Sequence, residues 1–276
     1  MKNTLTTGIV GNGTVGQATA LLFEDVAIYD PPKGHPDLSA LARCPVSFVC
    51  VPTPTSTNGR CDLSFVYDAV SQVAPILSNN HVLVIRSTVP PGTVRQLQED
   101  YPNTHLASNP EFLRAHRLEE DALRPSRVVI GADSVYSRQV LLKLYHSRLG
   151  RGVPYVITDS VTAEFIKYVA NSFLATKITY AQEIRKATQH IGTHYEDVVR
   201  AVGLDPRIGP GDEWFLDSLN DECLPKDLEA FISLLRSWRT DSRLLETIHD
   251  LKEERLRGRA VAARKRVPPQ ASRQRK

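Results

Sequence analysis

The chain has 276 residues, 41% of them hydrophobic and 24% charged, which suits one large or two moderate globular domains and excludes a strongly biased composition. No apolar run approaches the length of a membrane span, and the four cysteines (Cys44, Cys50, Cys61, Cys223) show neither metal-ligand nor disulfide-framework spacing, so reduced thiols in a cytoplasmic protein are expected. The net charge of +3 conceals an asymmetry, because nine basic and no acidic residues follow Glu254 and an acidic body therefore carries a basic tail.

Met1-Lys2 and the apolar residues after it resemble the start of a leader, but Gly8, Gly11, Gly13 and Gly16 interrupt that stretch and make it a strand and turn. The strand ends at Ile9-Val10 and a helix is expected over 14–23. Apolar runs at 26–30, 46–51, 82–86, 127–131 and 154–157 read as buried strands of the parallel type. Helical spacing appears over 63–77 and near 136–148. Strands alternating with helices predict an α/β fold, a doubly wound parallel Rossmann-type sheet over residues 1–158. From 162 to 191 the chain is one helical stretch with no glycine or proline, followed by helical patterns at 195–202, 226–238 and 242–256. An all-helical second domain over 159–257 is expected, then a basic tail, 258–276, whose composition predicts disorder.

Gly11-x-Gly13-x-x-Gly16 is by itself a common glycine turn. Here it follows a short apolar strand, opens a helix with Thr14 and Val15, and precedes Asp30 at the end of the next strand. In that setting the glycines allow a pyrophosphate to approach the helix N-terminus. A carboxylate at Asp30 would accept hydrogen bonds from a ribose and repel a 2′-phosphate, which favours NAD over NADP; Lys33 stands close by.

Chemistry is suggested by residues farther along. Lys167 and Asn171 are four apart and project from one helix face, where a cation and an amide can hold one developing oxyanion. Cys223 is followed within one turn by Lys226 and Asp227, a cation that favours a thiolate and a carboxylate placed as a base. A thiolate matters for taking an alcohol to an acid, since it can hold the aldehyde while a second hydride leaves. Glu111 follows a strand and can activate water; Thr88 lies at a strand's carboxyl end. Singly, each has a plainer reading: a buried thiol, a solvated lysine, an Asn-Pro turn, a helix cap.

Read together, Val51-Pro52-Thr53-Pro54, Asp62-Leu63-Ser64, Ser87-Thr88-Val89-Pro90-Pro91-Gly92-Thr93, Asn109-Pro110-Glu111-Phe112-Leu113-Arg114, Ala163-Glu164-Phe165-Ile166-Lys167-Tyr168-Val169-Ala170-Asn171, Gly203-Leu204-Asp205-Pro206-Arg207-Ile208-Gly209 and Cys223-Leu224-Pro225-Lys226-Asp227 resemble the UDP-glucose/GDP-mannose dehydrogenase family over about residues 5–235. The resemblance implies a nucleotide-sugar substrate oxidised at C6 to the uronic acid, with two NAD reduced in turn. It implies Cys223 as nucleophile, Lys167, Asn171 and Asp227 serving oxyanion and water, and Glu111 with Thr88 supporting hydrolysis. Thr53, Thr88 and Lys226 would join the glycine turn, Asp30 and Lys33 around the cofactor. Glu111, Phe112, Leu113, Lys167 and Asn171 would line the substrate, and Arg207 would reach the sugar of a neighbouring subunit in a homodimer built on the 162–191 helix. No metal, membrane or nucleic-acid partner is implied, and the basic tail reads as a solvated extension.

Three departures accompany the likeness. The segment before Cys223, Phe215–Glu222, lacks glycine and carries three acids where the family has a glycine-rich wrap around the nucleotide sugar. The family's usual third, Rossmann-like domain has no counterpart, so the chain reads as a short form. Ala115 stands where the family commonly has an acid. Two other readings follow: a two-domain β-hydroxyacid dehydrogenase, which needs no cysteine, and an NAD-binding scaffold that has lost catalysis.

Overall fold

Strands apolar at every position can be buried only between two layers, and that condition organises the N-terminal unit. The computed structural model describes residues 6–23, 25–210 and 223–266, without the side chains of Cys223 and of 256–266. Seven strands form one sheet: β1 (Thr7–Val10), β2 (Val26–Tyr29), β3 (Val46–Val49), β4 (Val82–Ile85), β5 (His105–Ser108), β6 (Val128–Gly131) and β7 (Tyr155–Thr158). Their order is β2-β1-β3-β4-β5-β6-β7. Successive residues of each strand face opposite layers. Ile9, Phe48 and Val84 pack with Leu22, Phe23, Leu141 and Tyr145. Val10, Val49, Leu83 and Ile85 pack with Val66, Val70, Val94 and Leu97. The first set meets α1 (Thr14–Leu22) and α5 (Val135–Leu149), the second α2 (Ser64–Val73) and α3 (Thr93–Asp100).

The expected doubly wound Rossmann-type sheet is present, with one departure from parallel pairing. β6 runs antiparallel to β5, meeting it at Ser108 and Gly131. A parallel neighbour needs a crossover that carries the chain back across the sheet. The connection after β5 contains only the short helix α4 (Leu118–Leu123), and α4 packs against α1. β5 itself is absent from the apolar runs of the sequence, because His105 and Ser108 bracket only Leu106 and Ala107. The helix expected over 63–77 tightens into a 3-10 turn at Ala74–Ile76, where Pro75 removes a backbone donor.

The long helix α6 spans Ser160–Ile191 without a break. The chain divides into compact units 1–170 and 171–276, a boundary inside this helix rather than near residue 158. In the first unit, the start of α6 lies so close to β6 that a Cβ on Gly131 would stand 2.2 Å from the Ala163 Cβ. The next residue, Glu164, is buried and its carboxylate accepts from the backbone N–H groups of Gly92 (2.6 Å) and Val94 (2.8 Å) at the start of α3. In the second unit, Ala175 of α6 packs with Leu228 and Ile232 of α8 (Cys223–Ser237) and Ile248 of α9 (Arg243–Arg266). Tyr195 and Val199 of α7 (Tyr195–Gly203) pack on Ala181. Arg255 of α9 donates to the Thr179 carbonyl and to Gln182 Oε1.

The tail corrects one expectation. Instead of losing structure at Gly258, α9 continues to Arg266. Ala260, Ala262, Ala263, Arg264 and Lys265 are strong helix formers, and Pro268 lies just beyond the helix end. Residues 267–276 lie outside the described part.

Burial pushes the Glu164 carboxyl up to about 8 against the two backbone N–H bonds that favour its charge. A raised folded value means that its contribution to stability is full below the ordinary carboxylate range and is lost as pH rises through about 8. Urea unfolding of the wild type at a series of pH values should show this decline, and Glu164→Gln should flatten it while leaving one N–H short of an acceptor, a cost of about 1–3 kcal/mol. An identical pH slope in the variant would remove Glu164 as its source.

Candidate active site

The carboxyl ends of β1, β3, β4 and β5 bring the candidate residues of the first unit to one edge of the sheet. The chain reverses between β2 and β3 on either side of β1, the switch point at which such sheets bind ligands. The glycine turn lies there. Gly11 has φ +92, and Gly16 has no room for a side chain, since a Cβ would fall 2.0 Å from the Gly11 carbonyl oxygen. Those two glycines are required by the protein's own packing. Gly13 is different, because a Cβ there would meet nothing within 4 Å. It precedes Thr14 and Val15 at the start of α1, a helix with no side-chain cap and no acid in its first turn. Its amides are therefore left for an anion.

Asp30 closes β2, and its Oδ2 accepts from the Asn12 N–H at 2.6 Å. Lys33 follows in a 3-10 turn and donates to the Asn12 carbonyl at 2.7 Å. Both thus grip the residue between Gly11 and Gly13. Thr53 is buried beyond β3. Thr88 lies beyond β4, with its carbonyl accepting from Cys61 Sγ at 3.8 Å. An open helix start, a glycine facing no protein atom and a carboxylate at the end of β2 are the features a dinucleotide requires.

Glu111, Phe112 and Leu113 lie just after β5. Lys167, on α6, donates to Glu111 Oε1 at 2.8 Å and to the Glu111 carbonyl at 2.7 Å. The two side chains are only 6% and 11% exposed. The other carboxylate oxygen accepts from the Leu113 N–H at 2.6 Å. Burial alone would raise the Glu111 carboxyl, but the Lys167 charge and hydrogen bond and the Leu113 N–H outweigh it and hold the group below its ordinary value. Lys167 also sits 5.4 Å from the centre of the Phe112 ring, and the Arg127 guanidinium stacks on that ring at 3.7 Å. Arg114 donates through its side chain and its backbone N–H to Asp121, which fixes the loop's exit to the start of α4.

In the second unit, Asn171 Nδ2 donates to Asp227 Oδ2 at 2.6 Å, and Lys226 Nζ lies 2.5 Å from Asp227 Oδ1. Asn171 and Asp227 are both buried. Cys223 is the first residue of α8. The acidic segment before it lies outside the described residues, so that expectation meets no observation. Arg207 is exposed and holds Asp205 at 2.6 Å; among the described residues no other candidate is one of its hydrogen-bond partners. Sequence reasoning missed Glu164 and the Arg114–Asp121 clamp. An acid three residues before Lys167 was visible, but the helix start it caps is distant in the chain.

The family model described as the UDP-glucose/GDP-mannose dehydrogenase NAD-binding domain matches residues 34–148, and that family's central domain matches residues 161–254. The chain belongs to the UDP-glucose/GDP-mannose dehydrogenase family. Its cofactor is NAD, and the glycine turn and Asp30 lie ahead of the matched span. A UDP-glucose 6-dehydrogenase from Rickettsia bellii is 39% identical over 215 residues, covering 75% of this chain and 49% of that protein. One from Rhizobium meliloti is 35% identical over 274 residues, covering 90% and 63%. The structure of a UDP-glucose dehydrogenase from Pyrobaculum islandicum superimposes with a TM-score of 0.79 at 26% identity, over 92% of this chain and 69% of that one. The chain thus spans about half the length of the Rickettsia bellii relative. Among the described residues, no helix is long and apolar enough to cross a membrane, and no group of three His, Cys, Asp or Glu could hold a metal.

Replacing Lys167 with Met tests the buried pair. It would leave the Glu111 carboxylate buried without its cation, at a cost of about 3–5 kcal/mol. Chemical denaturation should show a loss of that size, whereas a change under 1 kcal/mol would mean that water reaches Glu111 and the pair is not dry.

Proposed function

We propose that the chain is an NAD-dependent nucleotide-sugar 6-dehydrogenase that oxidises a UDP-glucose-like substrate at C6 to the uronic acid. The observation that carries this reading is the buried Glu111–Lys167 pair at the carboxyl edge of an NAD-binding sheet. The relatives from Rickettsia bellii and Rhizobium meliloti are UDP-glucose 6-dehydrogenases. The amides at the start of α1, with Asp30 and Lys33, would hold the cofactor, which supplies the hydride acceptor twice per product.

The chain's own residues then have distinct tasks. Lys167 carries a charge toward an oxygen that becomes negative, and Asn171, one turn along the same helix, adds an N–H donor. Asp227 orients Asn171 and is itself held by Lys226. Cys223 begins a helix, a position whose amides favour a thiolate. Its sulfur adds to the aldehyde, and loss of a second hydride leaves a thioester. Glu111, kept ionised by Lys167, accepts a proton from water as that water attacks the thioester, and the thiolate departs. Phe112 and Leu113 present backbone and ring to the sugar, and Thr53 and Thr88 wall the cofactor.

A homodimer fits the outer surface of α6. Phe165, Val169, Phe173 and Tyr180 form an exposed apolar stripe along it, and Arg207 stands exposed for a neighbour's sugar. Light scattering of the full chain should give twice the monomer mass, and Phe173→Glu should halve it; a wild-type monomer at micromolar concentration would end the dimer.

The activity itself is tested with UDP-, GDP- and dTDP-sugars and NAD, counting NADH per product. Two NADH per uronic acid are expected, and one would indicate a simple alcohol dehydrogenase. Cys223→Ser should stop steady turnover to the acid by 100-fold or more, on the order of removing a nucleophile. Undiminished acid formation by that variant would exclude the thioester route.

A further inference from the structure

Three elements of the first unit converge on the side chain of Asn109, two residues before Glu111. Its Oδ1 accepts from Arg86 Nη1 at the end of β4 and from the Tyr145 hydroxyl of α5, each at 2.5 Å. Its Nδ2 donates to the Val129 carbonyl of β6 at 2.6 Å, and its backbone N–H donates to the Ile85 carbonyl at 2.9 Å. Arg86 also donates to the Tyr145 oxygen at 3.2 Å, which closes a ring of three side chains. Asn109 is 1% and Tyr145 2% exposed. The Tyr145 ring is fixed edge-on against Phe23 and Phe48, and the Arg86 guanidinium lies over Phe48. Among the described residues Arg86 bonds no carboxylate, only these neutral oxygens. A half-buried cation held this way has little freedom to move, because the oxygens it bonds are themselves fixed by other hydrogen bonds and ring packing.

Pro110 alone separates Asn109 from Glu111 and fixes one backbone torsion of the connection. Whatever sets Asn109 therefore sets where the Glu111 carboxylate starts. We propose that Arg86, Asn109 and Tyr145 are positioning residues for the Glu111–Lys167 pair, holding the loop after β5 at the register in which Lys167 meets both the carbonyl and the carboxylate of Glu111. The functional consequence rests on the reading of Glu111 as the base that activates water; the geometric claim does not. The charged groups bearing on Glu111 are Lys167 from α6 and Arg86 from β4, and the buried Cys50 thiol is near the same Arg86 charge.

The test uses Tyr145→Phe and Arg86→Lys in the full chain. Neither removes a charge near Glu111, and Tyr145→Phe also leaves every charge in place, so a change in titration shared with that variant reports displacement and not a lost or moved cation. The Glu111 carboxyl is followed by carbon-13 NMR of glutamate-labelled protein, with the resonance assigned by its loss in Glu111→Gln. The expected result is an upward shift of the Glu111 midpoint in both variants, with kcat lower by about 10–100-fold and KM for NAD within about twofold, the pattern of a misplaced group. A midpoint unchanged in both variants overturns the proposal, whatever the activity. If the midpoint moves but Glu111→Gln turns over at the wild-type rate, the positioning stands and the assignment of Glu111 as base fails.

Discussion

A carboxylate and an ammonium shielded from water stabilise little unless both are fully bonded, and each becomes costly when its partner is removed. The Glu111–Lys167 pair meets the first condition. The ammonium takes both the carboxylate and the carbonyl of one residue, and the remaining carboxylate oxygen takes a backbone N–H. Because one partner follows β5 and the other sits on α6, the pair fixes the first turns of that helix to the carboxyl edge of the sheet. Glu164 makes a second tie three residues earlier, to the start of α3. Two polar anchors on successive turns register the helix against the sheet more tightly than apolar packing alone, since a slip of one residue breaks both.

The cofactor site is set by a different constraint, the absence of atoms. Gly16 must lack a side chain because the Gly11 carbonyl occupies that space. Gly13 faces no protein atom, so nothing in the fold itself demands glycine there. Asp30 and Lys33 then hold the turn from the side, through the amide and carbonyl of Asn12. The carboxylate at the end of β2 thus braces the glycine turn directly.

The legible parts of the sequence were those governed by local or periodic rules. Strands buried on both faces announced themselves as apolar runs, and the helix carrying Lys167 and Asn171 by its uninterrupted length. The antiparallel join at β6 was not legible, because strand direction depends on how the preceding connection packs. β5 was missed because its polar ends dilute its pattern. Residues 258–266 were misread because composition was weighed before helix propensity, and Ala-Arg-Lys stretches satisfy the second while resembling disorder by the first. In the site, residue types and spacing suggested Lys167, Asn171, Asp227 and Glu111. Which pairs form was hidden: Asn171 bonds Asp227, and Lys226 is turned to the same carboxylate. Asn109 and Tyr145 are thirty-odd residues apart, and no local pattern marks their contact.

The Arg114–Asp121 clamp has a consequence for local opening. Asp121 belongs to α4, and α4 packs on α1, which opens at the glycine turn. Segments joined in this way open as one cooperative unit, because freeing any part exposes the rest. The loop bearing Glu111 therefore shares its protection against amide exchange with α1. Whatever ligand quiets α1 slows the fluctuations of the acid loop as well, without touching it.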